Sequence, residues 1–97
     1  MPTYITLLRW TQQGIQHVKE SPARLDQAKE AIKAAGGELK AYYLTMGQYD
    51  GVAISEAPND EAYARTLLAI ASAGAVRTET LRAFAEEDYR TIIAALP

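Results

Sequence analysis

The chain has no cysteine among its 97 residues, which excludes disulfides, thiolate nucleophiles and thiolate-bound metals. Histidine is almost as scarce. His17 stands alone, and without a His-x-x-x-His pair or an Asp-x-Asp loop only scattered carboxylates remain as metal ligands. No cofactor is expected. Long apolar runs are missing too: the longest mainly apolar stretch, Leu67 to Val76, contains Ser72 and Gly74 and falls far short of the ~20 residues that span a bilayer. The opening Met1-Pro2-Thr3-Tyr4 places no positive region ahead of a hydrophobic one, so no secretory leader is expected and the default compartment is the cytoplasm. Charge of one sign is also lacking. Ten basic residues are dispersed among twelve acidic ones, giving a net charge of −2 and a pI near 5.3, without the basic stripe of a phosphate-backbone binder. Neither nucleic acid nor membrane is an expected partner.

What is present describes a globular chain, 48% hydrophobic and 23% charged. Its length predicts a single domain over residues 1–97. A domain this small buries roughly 65% of its unfolded surface, which leaves a modest stability margin that oligomerisation would widen.

Turn signals divide the chain into alternating elements. Thr3 to Trp10, rich in β-branched and aromatic residues, reads as a first strand. Thr11 caps a short helical turn in which Ile15 and Val18 share a face. Ser21 is the predicted N-cap of a longer helix with Pro22 at its first position, where the missing N–H costs nothing. Leu25, Ala28, Ile32 and Ala35 form its buried stripe before Gly36-Gly37. Glu38 to Met46 and Tyr49 to Ala57 read as strands joined by a two-residue type II′ turn at Gly47-Gln48. Asn59 or Asp60 then caps a helix with Ala64, Leu67, Leu68 and Ala71 inward, closed by Gly74. Val76 to Phe84 is the fourth strand. A last helix from about Glu86 gathers Tyr89, Ile92, Ile93 and Leu96 on one face and puts Glu86, Glu87 and Asp88 in its first turn, where the helix dipole favours negative charge.

The order β-α-β-β-α-β, with right-handed crossovers, predicts an α+β, ferredoxin-like fold: two helices on one face of a four-stranded antiparallel sheet, plus a C-terminal helix. Alternate strand residues point to opposite faces. Ile5 and Leu7 therefore oppose Tyr4, Leu8 and Trp10, while Leu39, Ala41 and Tyr43 oppose Tyr42, Leu44 and Met46. Both faces are apolar, so the face without helices needs a cover, from the C-terminal helix or from a second subunit. One helix is narrower than four strands. A face-to-face homodimer is preferred, with higher oligomers left open.

Several segments together resemble the GYD domain family: Tyr4-Ile5-Thr6-Leu7-Leu8-Arg9-Trp10-Thr11, Gly14-Ile15, Val18-Lys19, Ser21-Pro22, Gly36-Gly37-Glu38-Leu39-Lys40-Ala41-Tyr42-Tyr43, the motif Gly47-Gln48-Tyr49-Asp50, and Val76-Arg77-Thr78 through Leu81-Arg82-Ala83-Phe84. The resemblance implies a ferredoxin-like fold of the dimeric α+β barrel type. It implies no particular activity and carries over no catalytic residues.

Within the motif, Gly47 suits a position of positive φ, and Asp50 offers an acceptor beside the strand edge, where Asp ordinarily bonds local backbone donors. His17 is the one side chain that titrates near neutrality unperturbed, yet its polar neighbours Gln13 and Lys19 mark it as a surface residue. Ser21, Ser55 and Ser72 lack a nucleophile elbow, and no Lys-Ser or Lys-Thr follows Gly36-Gly37 as in a phosphate loop. Two functions remain: a dimeric small-molecule-binding or accessory module, or a small cofactor-independent enzyme of the monooxygenase or isomerase type, the latter by fold analogy alone. Candidate ligand-binding residues are Trp10, His17, Tyr43, Tyr49 and Asp50, grouped as an aromatic cleft with a few polar groups. Catalytic residues are unassigned.

Overall fold

In the computed structural model, which describes Met1 to Pro97, extended and helical segments alternate as the turn residues dictate. The strands are β1 (Thr3–Trp10), β2 (Glu38–Leu44), β3 (Gly51–Glu56) and β4 (Val76–Ala83). The helices are α1 (Gln12–Gln16), α2 (Ser21–Ala34), α3 (Asp60–Ser72) and α4 (Glu86–Ala94), with a 3₁₀ turn at Val18–Glu20. The strands form one antiparallel sheet in the order β2-β3-β1-β4. This is the expected ferredoxin-like topology, with α2 and α3 on one face.

Tyr4, Ile32, Ala57 and Tyr63 form the buried core, with Leu39 and Leu67 against it. The rings of Tyr4 and Tyr63 stack at 4.3 Å, a contact worth about 0.5–1.5 kcal/mol beyond its buried area. Both phenols are satisfied. The Tyr4 hydroxyl donates to Asp60 Oδ1 at 2.5 Å, and Tyr63 shares a 2.8 Å bond with Thr6, whose hydroxyl also meets Thr80 at 3.1 Å. Burial, then the Asp60 bond, pushes the Tyr4 phenol up to about 12.

Several local expectations are corrected. Ser21 is already helical (φ −60, ψ −35) and Glu20 takes the cap position, because the 3₁₀ turn runs directly into α2. The two-residue turn at Gly47-Gln48 is absent: β2 stops at Leu44, β3 starts at Gly51, and residues 45–50 form a longer loop. Thr45 closes it, its N–H donating to Asp50 O at 2.9 Å and its hydroxyl to Tyr49 O at 2.7 Å. Gly47 holds φ +114, which explains the glycine without a two-residue turn.

Strand alternation fails in β2. A register shift between Leu39 and Ala41 puts one extra residue into the strand, so Leu39 and Tyr42 both line the helix side, whereas strict alternation separates them. On α3, Tyr63 and Thr66 are buried and Leu67 and Ile70 half-buried, while Ala64 is exposed and Leu68 is 72% exposed. The inward face is thus rotated from the expected one. Asn59 does cap α3, its Oδ1 accepting from Ala62 N at 2.8 Å.

The C-terminal helix does not cover the sheet. α4 projects from the body with all its residues exposed, including Tyr89, Ile92 and Ile93. The radius of gyration is 14.6 Å, against about 12.5 Å for a compact chain of this length. The sheet face away from α2 and α3 therefore lies open, carrying Ile5, Leu7, Val52, Ile54, Leu81 and Tyr43. No helix is long and apolar enough to cross a membrane.

Candidate functional site

The Gly47-Gln48-Tyr49-Asp50 loop packs on the end of β1, and two side chains hold it there. The Asp50 N–H donates to Leu8 O at 2.8 Å, and its carboxylate Oδ2 accepts from Trp10 N at 2.9 Å. Asp50 thus extends the β3 pairing past Gly51 and satisfies the N–H of the last β1 residue. Arg9 Nε donates to Gln48 O at 2.9 Å, and its guanidinium lies 4.4 Å from the Tyr49 ring centre. The Tyr49 hydroxyl reaches Glu79 Oε2 at 3.3 Å. This corner is a latch between loop and sheet.

Beneath α2 and α3 the structure leaves space. A cavity of about 90 Å³ is bounded by Leu8, Trp10, Leu25, Ile32, Leu67 and Val76. The Tyr42 phenol also lines it; burial, and secondarily the Asp50 carboxylate, raises its pKa. The cavity adjoins a groove of about 240 Å³ between the two helices, where the facing side chains are Ala28, Ala31, Ala69 and Ala73. Beyond it lies a polar recess formed by Gln13, His17, Glu20 and Arg24.

Arg24 borders all three spaces. Its guanidinium donates to His17 O at 3.1 Å and Gly14 O at 3.4 Å, backbone carbonyls near the end of α1. The Glu20 carboxylate stands 4.0 Å away on a side chain 71% exposed, whereas the Arg24 side chain is only 26% exposed.

α1 is itself fastened to the turn that leads into β4. The Thr11 hydroxyl accepts from Gly14 N at 3.1 Å and donates to Gly74 O at 2.5 Å, while Thr11 N donates to Ala75 O at 3.0 Å. A Cβ on Gly14 would stand 2.0 Å from Ala75 O, so only glycine permits this approach.

The five candidate residues do not form one cleft. Trp10 borders the cavity and His17 the exposed recess. Tyr43, paired with Val52, lies on the open sheet face, Tyr49 packs against Arg9, and Asp50 is committed to Trp10 N–H. The sheet separates Trp10 from Tyr43. Arg24 is a residue that sequence reasoning misses, since it reads there as one more helical cation; the signal that marks its neighbourhood is the run of alanines where leucines would ordinarily close a helix–helix seam.

Comparison with known proteins places the chain. A family model described as the GYD domain matches residues 4–93. A protein of Thermus thermophilus named "Glutamine synthetase and cystathionine beta-lyase binding protein" is 34% identical over 89 residues, covering 91% of this chain and 94% of that protein. The crystal structure of TTHA0845, also from Thermus thermophilus, is similar with a TM-score of 0.56 and 29% identity, over 88% of this chain and 95% of that one. With nearly its whole length matched, the chain belongs to the GYD domain family.

Proposed function

We propose that this chain is a homodimeric accessory module, a single GYD-like domain that acts in the cytoplasm by contacting metabolic enzymes. The observation that carries the reading is the uncovered sheet face, where Ile5, Leu7, Val52, Ile54, Leu81 and Tyr43 stand without a layer above them. Apolar patches of this kind mark contact surfaces. A second copy fits the face in width, because each sheet supplies the layer the other lacks. The kind of further partner is supported by the relative named for binding glutamine synthetase and cystathionine β-lyase. Once the sheets are paired, α4 still offers such an enzyme an apolar surface, with Tyr89, Ile92 and Ile93 exposed.

Light scattering at micromolar concentration tests the dimer, which should read about twice 10.6 kDa. Ile54→Lys, at the centre of the face, should yield a folded monomer. Sedimentation with purified glutamine synthetase or cystathionine β-lyase tests the accessory role: the chain should travel with at least one enzyme, and a variant ending at residue 85 should not. A monomeric parent refutes the dimer, and free sedimentation with both enzymes refutes the accessory role. Small-ligand binding is a second reading, favoured by the cavity beneath α2 and α3.

A further inference from the structure

We propose that the space between the sheet and helices α2 and α3 is a binding site for a small amphiphilic monocarboxylate, with the apolar body in the cavity and the carboxylate on Arg24. The assignment develops the small-ligand reading and stands independently of enzyme contact.

The first support is shape. The cavity of about 90 Å³ does not end at the protein's own packing but borders the alanine-lined groove of about 240 Å³. Small pockets that hold ligands combine an apolar interior with a few polar groups; here the interior is almost wholly apolar, and Arg24, which borders the cavity, the groove and the recess, supplies the charge at its rim. The interior, about 90 Å³ and open toward the groove, suits a compact apolar body such as a single aromatic ring or a branched aliphatic chain.

The second support is charge. Arg24 is three-quarters buried, is held in place through its bonds to His17 O and Gly14 O, and has its nearest carboxylate at 4.0 Å on an exposed side chain. Carbonyl oxygens orient a guanidinium but do not neutralise it. A planar fork with donors still unmatched beside an apolar cavity is suited to a carboxylate, which it binds through paired N–H donors. The dominant selection is therefore for an anion at one end and a compact apolar group at the other.

The protein carries its own reporter, because Trp10 is the sole tryptophan and borders the cavity. Three probes separate the contributions: 3-phenylpropionate, its neutral counterpart 3-phenylpropan-1-ol, and acetate, which has the head without the body. The parent should show a saturable change in Trp10 fluorescence with 3-phenylpropionate, at least about tenfold weaker binding of the alcohol, and no response to acetate. Arg24→Gln should lose about tenfold affinity for the acid while still binding the alcohol as the parent does, which also reports that the variant is folded. Ala28→Leu should weaken both aromatic probes by occupying the cavity. No saturable response to 3-phenylpropionate up to about 10 mM, equal affinity for acid and alcohol, or an Arg24→Gln variant that binds the acid normally would each overturn the assignment. The titration contains only this chain, so its failure leaves the accessory role untouched, and failure of enzyme co-sedimentation leaves this site untouched.

Discussion

Replacing Asp50 isolates the bond that pins the motif loop. Its carboxylate accepts the Trp10 N–H at 2.9 Å in a partly buried setting, and the two residues are far apart in sequence, so the bond joins loop to strand rather than closing a local turn. Asp50→Ala leaves that N–H without its partner. A hydrogen bond to a charged group contributes about 1.5–3 kcal/mol, and partial exposure places this one near ~2 kcal/mol. In a chain of this size each kcal/mol moves Tm by about 4–8 °C, so the Ala variant should melt about 8–16 °C lower. Asp50→Asn keeps an amide oxygen at the same place and should retain most of the stability. The charge has a separate signature. Both variants remove the negative potential that, after burial, raises the Tyr42 pKa, so the alkaline titration of Tyr42 should move downward in both while stability falls in only one. Urea denaturation followed by Trp10 fluorescence, with the slope m unchanged, and ultraviolet titration of tyrosine read the two effects. An Ala variant as stable as the parent, or an Asn variant as damaged as the Ala variant, would refute the reasoning.

Tyr4, whose phenol is pushed up to about 12 when folded against about 10 unfolded, contributes stability that is fully present below about pH 10 and lost as pH rises toward about 12; Tyr4→Phe should flatten that decline, and parallel stability curves for the two proteins would contradict it. Gly14→Ala must displace either α1 or the start of β4, because the added methyl meets Ala75 O, and should cost about 1–3 kcal/mol by chemical denaturation. The rotated face of α3 predicts an asymmetry between neighbours: Leu67→Ala should cost about 2–3 kcal/mol, and Leu68→Ala, at a residue 72% exposed, no more than about 0.5 kcal/mol, as denaturation midpoints would read.

Much of the architecture followed from the local pattern of residues. The strand content of Thr3 to Trp10, the capping Thr11 and Asn59, and the glycines closing the helices specify element order through short-range sterics and hydrogen bonding. The order in turn leaves few sheet topologies open. The α2 stripe of Leu25, Ala28, Ile32 and Ala35 was legible because polar residues flank it on the helix surface. The apolar character of both sheet faces was legible in β1, where Ile5 and Leu7 alternate with Tyr4 and Leu8.

Other features were set only when distant segments met. In α3, alanines at 62, 64, 69 and 71 surround the helix and blur its periodicity, so the inward face was chosen by the Tyr4 ring that Tyr63 stacks on and by the Thr6 hydroxyl it bonds. The bulge in β2 reflects its pairing with β3, and it brought Leu39 and Tyr42 to one side against strict alternation. Asp50 was legible as a backbone acceptor, but its partner Trp10 N was not, because nothing local specifies which strand end will lie beside the loop. The same holds for Arg24: the sequence placed a cation on α2, and only the approach of α1 carbonyls, the alanine faces of α2 and α3, and the sheet beneath them put that cation at the rim of a cavity. Local propensity determines which segments are strands and helices; the packing of segments remote in sequence decides which side chains share a space.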